Sequence, residues 1–174
     1  FRRQDLFDHK NENFAGSFGT SVSPKLIDST KNSDLIIVLG ARLGEMTTQG
    51  YSIISPRDIS KNIMHIHVDP NELNKVFNAN VCINVGVNEC CDKLEELTLD
   101  NSNRWKEWRN ELNKNYLDDS KPQKNKNRNN LSKIFEIVEK KFPTNSIITL
   151  DAGNNAAWPQ RFLSFGRSRR QIAS

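Results

Sequence analysis

The stretch that most constrains this chain is Ser-Asp-Leu-Ile-Ile-Val-Leu-Gly-Ala-Arg-Leu-Gly-Glu, residues 33–45. Five consecutive apolar residues, Leu35 to Leu39, three of them β-branched, stand between Ser-Asp and a glycine. An unbroken run of this kind reads as a strand buried on both faces, the usual condition of a parallel sheet covered by helices. Gly40 directly after it lets the backbone turn at the strand's carboxyl end, where open α/β sheets place their ligands. A nucleotide-type α/β layer is the expected outcome.

The whole chain fits that expectation. Its 174 residues suffice for one good core, or one domain and part of another. It opens on Phe1 rather than Met, so a fragment or a processed chain is expected. No apolar run approaches membrane-spanning length, and the charged first residues do not resemble a signal peptide. The three cysteines include the adjacent pair Cys90-Cys91 and form no Cys-x-x-Cys spacing. This argues against a disulfide framework or a zinc site and fits a reducing cytoplasm. Lys and Arg number 25 against 21 acids, a net charge of +4. Lys121, Lys124, Lys126 and Arg128 account for that excess within one decapeptide that has no acid. The segment is Asn-rich, holds Pro122 and lacks interleaved aromatics, so it reads as a solvated linker rather than a nucleic-acid surface.

In chain order, residues 1–22 read as a loop, and Ser23-Pro24 as a helix start running to about Lys31. Strands follow at Asp34–Leu39, Ile63–Val68 and Val81–Val85, with residues 46–62 unassigned between the first two. A helix over 88–97 places Cys91, Leu94 and Leu97 on one side. Trp105, Trp108 and Leu112 form an apolar stripe expected to pack a further helix. Leu131, Ile134, Phe135 and Val138 mark another helix, Ser146–Leu150 a fourth strand, and residues around Ala157, Trp158, Phe162 and Leu163 a last helix. Residues 166–174 suggest no closing element. The alternation predicts an α/β fold. The expected organisation is a first domain over 1–116, a basic linker over 117–130 and the beginning of a second domain over 131–174.

Two strand-end loops carry the candidate chemistry. Gly40, Arg42 and Glu45 offer close backbone approach, a cation for phosphate and an acid for a ribose hydroxyl, and Asp69 after the next strand is an alternative acid. The bland alternatives are a sheet–helix turn with a surface arginine and an Asp-Pro turn. Asp151-Ala152-Gly153-Asn154-Asn155 leads into a helix and suits an anion. His65 and His67 share a strand face, but without a Cys or acid in ligand spacing they read as packing rather than as metal ligands. No catalytic acid, base or nucleophile is named by spacing.

Several of these motifs together resemble one family. Phe1-Arg2-Arg3-Gln4-Asp5, Asn13-Phe14-Ala15-Gly16-Ser17-Phe18-Gly19, the 33–45 stretch and His65-Ile66-His67-Val68-Asp69-Pro70-Asn71-Glu72-Leu73 are similar to the central domain of thiamine-diphosphate enzymes, most like the acetolactate synthase large subunit. Thr149-Leu150-Asp151-Ala152-Gly153-Asn154, with Trp158 and Arg161-Phe162, resembles the start of that family's diphosphate-binding domain.

The resemblance implies a Rossmann-like central domain, incomplete here, followed by the first strand and helices of a second α/β domain. It implies thiamine diphosphate and Mg2+ as cofactors, and a 2-keto acid such as pyruvate as substrate, within branched-chain amino acid biosynthesis. A homodimer or homotetramer is the implied assembly, with no nucleic-acid or membrane partner. Gly153, Asn154 and Asn155 match the loop that approaches the cofactor's diphosphate. Gly16, Ser17, Phe18, Gly19, Gly40, Arg42 and Asp69 match positions that face FAD in acetolactate synthases, with another nucleotide or none as the alternative. The activating glutamate and the Gly-Asp-Gly…Asn segment that holds magnesium have no counterpart in these residues. The 174 residues alone are therefore expected to be inactive. The competing reading is a nucleotide-binding α/β module without catalysis.

Overall fold

The computed structural model describes residues 2–57, 60–98, 103–122 and 130–173. Its elements follow the α/β alternation: α1 (Pro24–Asn32), β1 (Leu35–Leu39), β2 (Asn62–Ile66), β3 (Val81–Ile83), α2 (Val87–Glu95), α3 (Lys106–Asp119), α4 (Leu131–Lys141), β4 (Ile147–Leu150), α5 (Asn154–Phe162) and β5 (Arg170–Ala173). The chain divides into two compact units, residues 1–26 with 105–174, and residues 27–104. That division differs from the boundary expected at 117–130. Within the first unit α3 continues to Asp119, and residues 123–129 of the expected linker lie outside the described residues. No described helix is long and apolar enough to cross a membrane.

The second unit is built on a parallel sheet in the order β1-β2-β3. Leu35 pairs with Asn62 and the register runs to Leu39 opposite Ile66; Met64 to Ile66 then pair with Val81 to Ile83. The ladder continues past β1, where the Gly40 N–H donates to the Ile66 carbonyl at 2.8 Å. The Lys61 ammonium donates to the carbonyls of Lys31 and Ser33, neutralising the carbonyl end of α1 just before β1 begins. Val38, Ile53, Ile54, Ile63, Ile66 and Phe77 form the core.

The expectation that β1 is buried on both faces is corrected. Val38 is buried, but Leu35, Ile37 and Leu39 on the opposite face are 46%, 58% and 37% exposed. Side chains alternate across a strand, and the described residues cover only the Val38 face. Residues 46–57, unassigned from sequence, are a string of turns organised by buried Thr48. Its hydroxyl donates to the Gly44 carbonyl at 2.9 Å and accepts the Tyr51 N–H at 3.1 Å. Side-chain bonds to nearby backbone of this kind replace a helix, and periodicity does not reveal them. On α2 the expected apolar side stays uncovered, with Leu94 50% exposed.

The first unit holds a two-stranded parallel sheet, β4 beside β5, so the expectation that the chain stops without a closing element is also corrected. Ile147 pairs with Arg170 and Leu150 with Ala173. Arg170 reaches from β5 to Asp5, Nε to Oδ2 at 2.5 Å, and Arg3 lies on the other carboxylate oxygen at 3.6 Å. Burial pushes the Asp5 carboxyl up, but the hydrogen bond and charge of Arg170, the Gln171 backbone and Arg3 together hold it below the usual carboxylate value. The predicted tryptophan stripe on α3 faces outward, with Trp105 and Trp108 about half exposed. The packed side carries polar residues instead. Asn113 donates to the Phe14 carbonyl at 2.9 Å, Tyr116 meets His9, and Asp119 pairs with Arg161 at 2.6 Å. On α4 it is Phe135 and Val138 that turn inward, while Leu131 and Ile134 are exposed.

At the centre of this unit His9 stacks on Phe14 with centroids 4.0 Å apart, and meets Tyr116 and Phe165 edge-on. Its Nε2–H donates to the Gln4 carbonyl at 3.1 Å. Burial lowers its pKa from 6.5 to about 4, so the ring is held neutral. Between those values the unfolded chain binds a proton that the folded chain does not. Stability is therefore complete above pH 6.5 and falls as the pH drops toward 4.

Two outcomes follow from this packing. Urea titrations should show that lowering the pH from 6.5 to 4 costs about 3 kcal/mol, and a His9→Phe variant should lose that slope. An unchanged slope in the variant contradicts the assignment. Gly40 sits at φ +64°, and a Cβ there would overlap Val87 Cγ2 at the start of α2. Gly40→Ala should cost roughly 1–3 kcal/mol, part of it returned by adding Val87→Ala. An unchanged unfolding midpoint would show that the glycine is not required by packing.

Candidate nucleotide and diphosphate sites

In the second unit the ends of β1 and β2 open onto a cleft of about 200 Å³. Arg42, Leu43 and Gly44 enter it from the turn after β1, His65 from β2, and Glu72 and Lys75 from the segment that follows. Tyr51 and Phe77 give it aromatic walls, their centroids 6.1 Å apart. Tyr51 is held at φ +62°, a conformation a bulky residue adopts only when its surroundings impose it. The Thr48 hydroxyl on its N–H and Gly50 at φ +66° beside it are those surroundings.

Charge in the cleft centres on Glu72. Its side chain is 12% exposed, 2.8 Å from Lys75 Nζ and 3.8 Å from Arg42 Nε. The Lys75 hydrogen bond, with the charges of Lys75 and Arg42, keeps the Glu72 carboxyl below its usual range, so it is ionised. A carboxylate flanked by two cations and an aromatic wall suits a ribose hydroxyl, a phosphate and a base respectively.

Of the residues singled out in the sequence, Arg42 lines this cleft. Gly40 does not line it; it makes the turn that leads to Arg42, at a point where a Cβ would overlap Val87. Asp69 is turned elsewhere, since its Oδ1 accepts from Asn71 N and Nδ2, both at 3.0 Å. Those bonds, the backbone one first, lower the Asp69 carboxyl and cap the short 3-10 helix Pro70–Glu72. Glu45 does not line the cleft. Glu72 is the acid that sequence reasoning missed. The sequence offered only Asp69-Pro70, an acid before a proline that suits a helix start, and nothing in it says which of the two acids the short helix takes as its cap. His65 donates its Nε2–H to the Ala41 carbonyl at 3.0 Å, and His67 Nδ1 accepts the Asp69 N–H at 3.0 Å. Both histidines thus support the strand-end backbone. Among the described residues no group of three His, Cys, Asp or Glu side chains is placed to hold a metal.

In the first unit β4 ends at Leu150, and Gly153 is the N-cap of α5 at φ +126° with no side-chain cap. The Asp151 carboxylate accepts the Ala152 N–H at 2.7 Å, and the Ala156 N–H turns back to the Gly153 carbonyl at 3.1 Å. Asn154 and Asn155, the first two residues of the helix, are exposed. A diphosphate fits such a start, because the amides and the helix dipole both favour negative charge. The absent Cβ leaves that approach open: at Gly153 it would lie 3.4 Å from Asn155 Oδ1. A cavity of about 540 Å³ adjoins it, lined by Thr20, Ser21, Asn154 and Trp158. Trp158 stacks on Phe162 at 5.7 Å, and Arg161 lies over the Phe162 ring.

Gly16 at φ +116° and Gly19 at φ +134° belong to this same unit, and Gly16 and Ser17 line a small pocket with Gln160 and Arg161 of α5. Ser17 and Phe18 are half-buried between the glycines. The seven positions matched to FAD therefore fall in two units, Gly16 to Gly19 in one, and Gly40, Arg42 and Asp69 in the other.

The family described as thiamine pyrophosphate enzyme, central domain, matches residues 1–94. No curated protein matches the chain. With more than half its length matched and its strand ends arranged as above, the chain belongs to the thiamine pyrophosphate enzymes and carries their central domain.

Proposed function

We propose that the chain is part of a thiamine-diphosphate-dependent 2-keto acid carboligase or decarboxylase of the acetolactate synthase kind. The observation that carries this reading is the ordered run of motifs from Phe1-Arg2-Arg3-Gln4-Asp5 to Thr149-Leu150-Asp151-Ala152-Gly153-Asn154, continuing past the residues that the family match covers. In this reading residues 131–174 begin the diphosphate-binding domain. Asn154 and Asn155 would hold the cofactor's diphosphate through their backbone N–H groups, with Gly153 keeping the approach clear. When bound, thiamine diphosphate supplies the carbanion chemistry that cleaves a 2-keto acid beside its carbonyl. The contribution of this chain is to bind and orient. Magnesium, pyruvate as donor, a second keto acid as acceptor, a homodimer or homotetramer and a cytoplasmic setting complete the proposal. The test is an assay of the intact gene product with thiamine diphosphate and Mg2+: pyruvate should be consumed and acetolactate formed. A cofactor-loaded protein that leaves pyruvate untouched would overturn it.

The cleft around Glu72 favours a second component, a nucleotide such as FAD or ADP bound at the ends of β1 and β2. Arg42, 71% exposed and paired only at 3.8 Å with Glu72, is the cation that would meet a phosphate, whereas Asp69 is occupied as a cap. Calorimetric titration with ADP should show Arg42→Ala weakening binding about tenfold. Asp69→Ala should leave affinity within about twofold while lowering the unfolding midpoint, because the cap of the short helix is lost. The reverse pattern would assign the nucleotide to Asp69.

A further inference from the structure

The first unit contains a cleft that neither cofactor reading uses. It lies between the turn after the short 3-10 helix Gln4–Leu6 and the loop joining α5 to β5, and encloses about 360 Å³. It stands by the amino ends of β4 and β5, whereas the Gly153 loop follows the carboxyl end of β4. We propose that this cleft is an anion site, taking a small molecule that bears a phosphate or a carboxylate.

Three cations line it, Lys10, Arg167 and Arg169, against two acids, Asp8 and Glu139. Arg169 is the anchor, with only 4% of its side chain exposed. Its Nη1 donates to Glu139 and its Nε to Ser146 Oγ at 3.3 Å, but Nη2 is shut away from water with no acceptor. Glu139 offsets the Arg169 guanidinium, and the cleft as a whole keeps a net positive charge from three cations against two acids. Lys10 and Arg167 are exposed at the rim, and neither side chain forms an ion pair among the described residues. Asp8 is partly satisfied by the Lys10 N–H at 2.9 Å.

The walls are preset. The His9 N–H donates to the Phe165 carbonyl at 3.0 Å, and the Gly166 N–H to the Arg169 carbonyl at 3.1 Å. Gly166 lets the two loops approach, since a Cβ there would lie 3.2 Å from Asp8 Oδ1. An anion entering the cleft meets walls already held by backbone hydrogen bonds, so only the two rim cations need to close on it.

The test is isothermal titration of the whole chain with inorganic phosphate and separately with acetate, at ionic strength held constant with sodium chloride. Saturable binding at one site is expected. It should weaken about tenfold or more in the double variant Lys10→Gln, Arg167→Gln, whose folding is checked by circular dichroism. Tighter phosphate assigns the site to phosphate-bearing molecules, and tighter acetate to carboxylates. Absence of saturable binding by either probe, or equal affinity in the double variant, overturns the proposal.

Discussion

The parallel pairing of β1 with β2 is the constraint on which the second unit depends. Once Leu39 stands opposite Ile66, Gly40 must turn where its N–H can still reach the Ile66 carbonyl. That turn brings the Ala41 carbonyl to His65 Nε2 and delivers Arg42 to the mouth of the cleft. On the other side of the ladder, Asn84 donates to the carbonyls of both His67 and Val68, fixing the chain as it leaves β2. Asp69, Glu72 and Lys75 then follow in set positions. A register slip of one residue would reverse every side chain of β1 and take the apolar Val38 out of the core.

The first unit is organised by different physics. Its ties between distant stretches are polar: Asp5 to Arg170, Asn113 to the Asn11 and Phe14 carbonyls, and Asp119 to Arg161. His9 adds an uncharged ring within an aromatic cage. The first two ties join residues about a hundred or more positions apart and the third joins residues 42 apart. The Asp5 tie is the costliest to break because its carboxylate, with 1% of the side chain exposed, would be left buried without its cation. They explain why residues 1–26 group with 105–174 rather than with the strand that follows them.

This contrast accounts for what the sequence revealed. Apolar runs at 35–39, 63–66 and 147–150 became strands because β-branched and apolar residues favour extended chain and each run finds a parallel partner, even where one face stays exposed. Arg170–Ala173 escaped notice because only its pairing with β4 and the Asp5 contact make it a strand. The inward face of α3 was missed for a similar reason: polar residues that pair with distant backbone leave no apolar stripe. At the sites, the strand-end loops were visible as a glycine after an apolar run and a glycine before a helix. The exchange of roles between Asp69 and Glu72 was not, because it depends on which acid the short helix uses as its cap. Likewise the Arg167–Arg169 loop gave only a basic terminus in sequence, and its cleft exists through contacts with residues 6–11.

The central claim is that these residues form part of a thiamine-diphosphate enzyme, and reading the gene outward from both ends tests it most directly. The account predicts a Gly-Asp-Gly…Asn segment downstream of Ser174, and upstream of Phe1 a further α/β domain with a glutamate for the cofactor. A reading frame that starts near Phe1 and stops near Ser174 would contradict the catalytic account and leave a nucleotide-binding module.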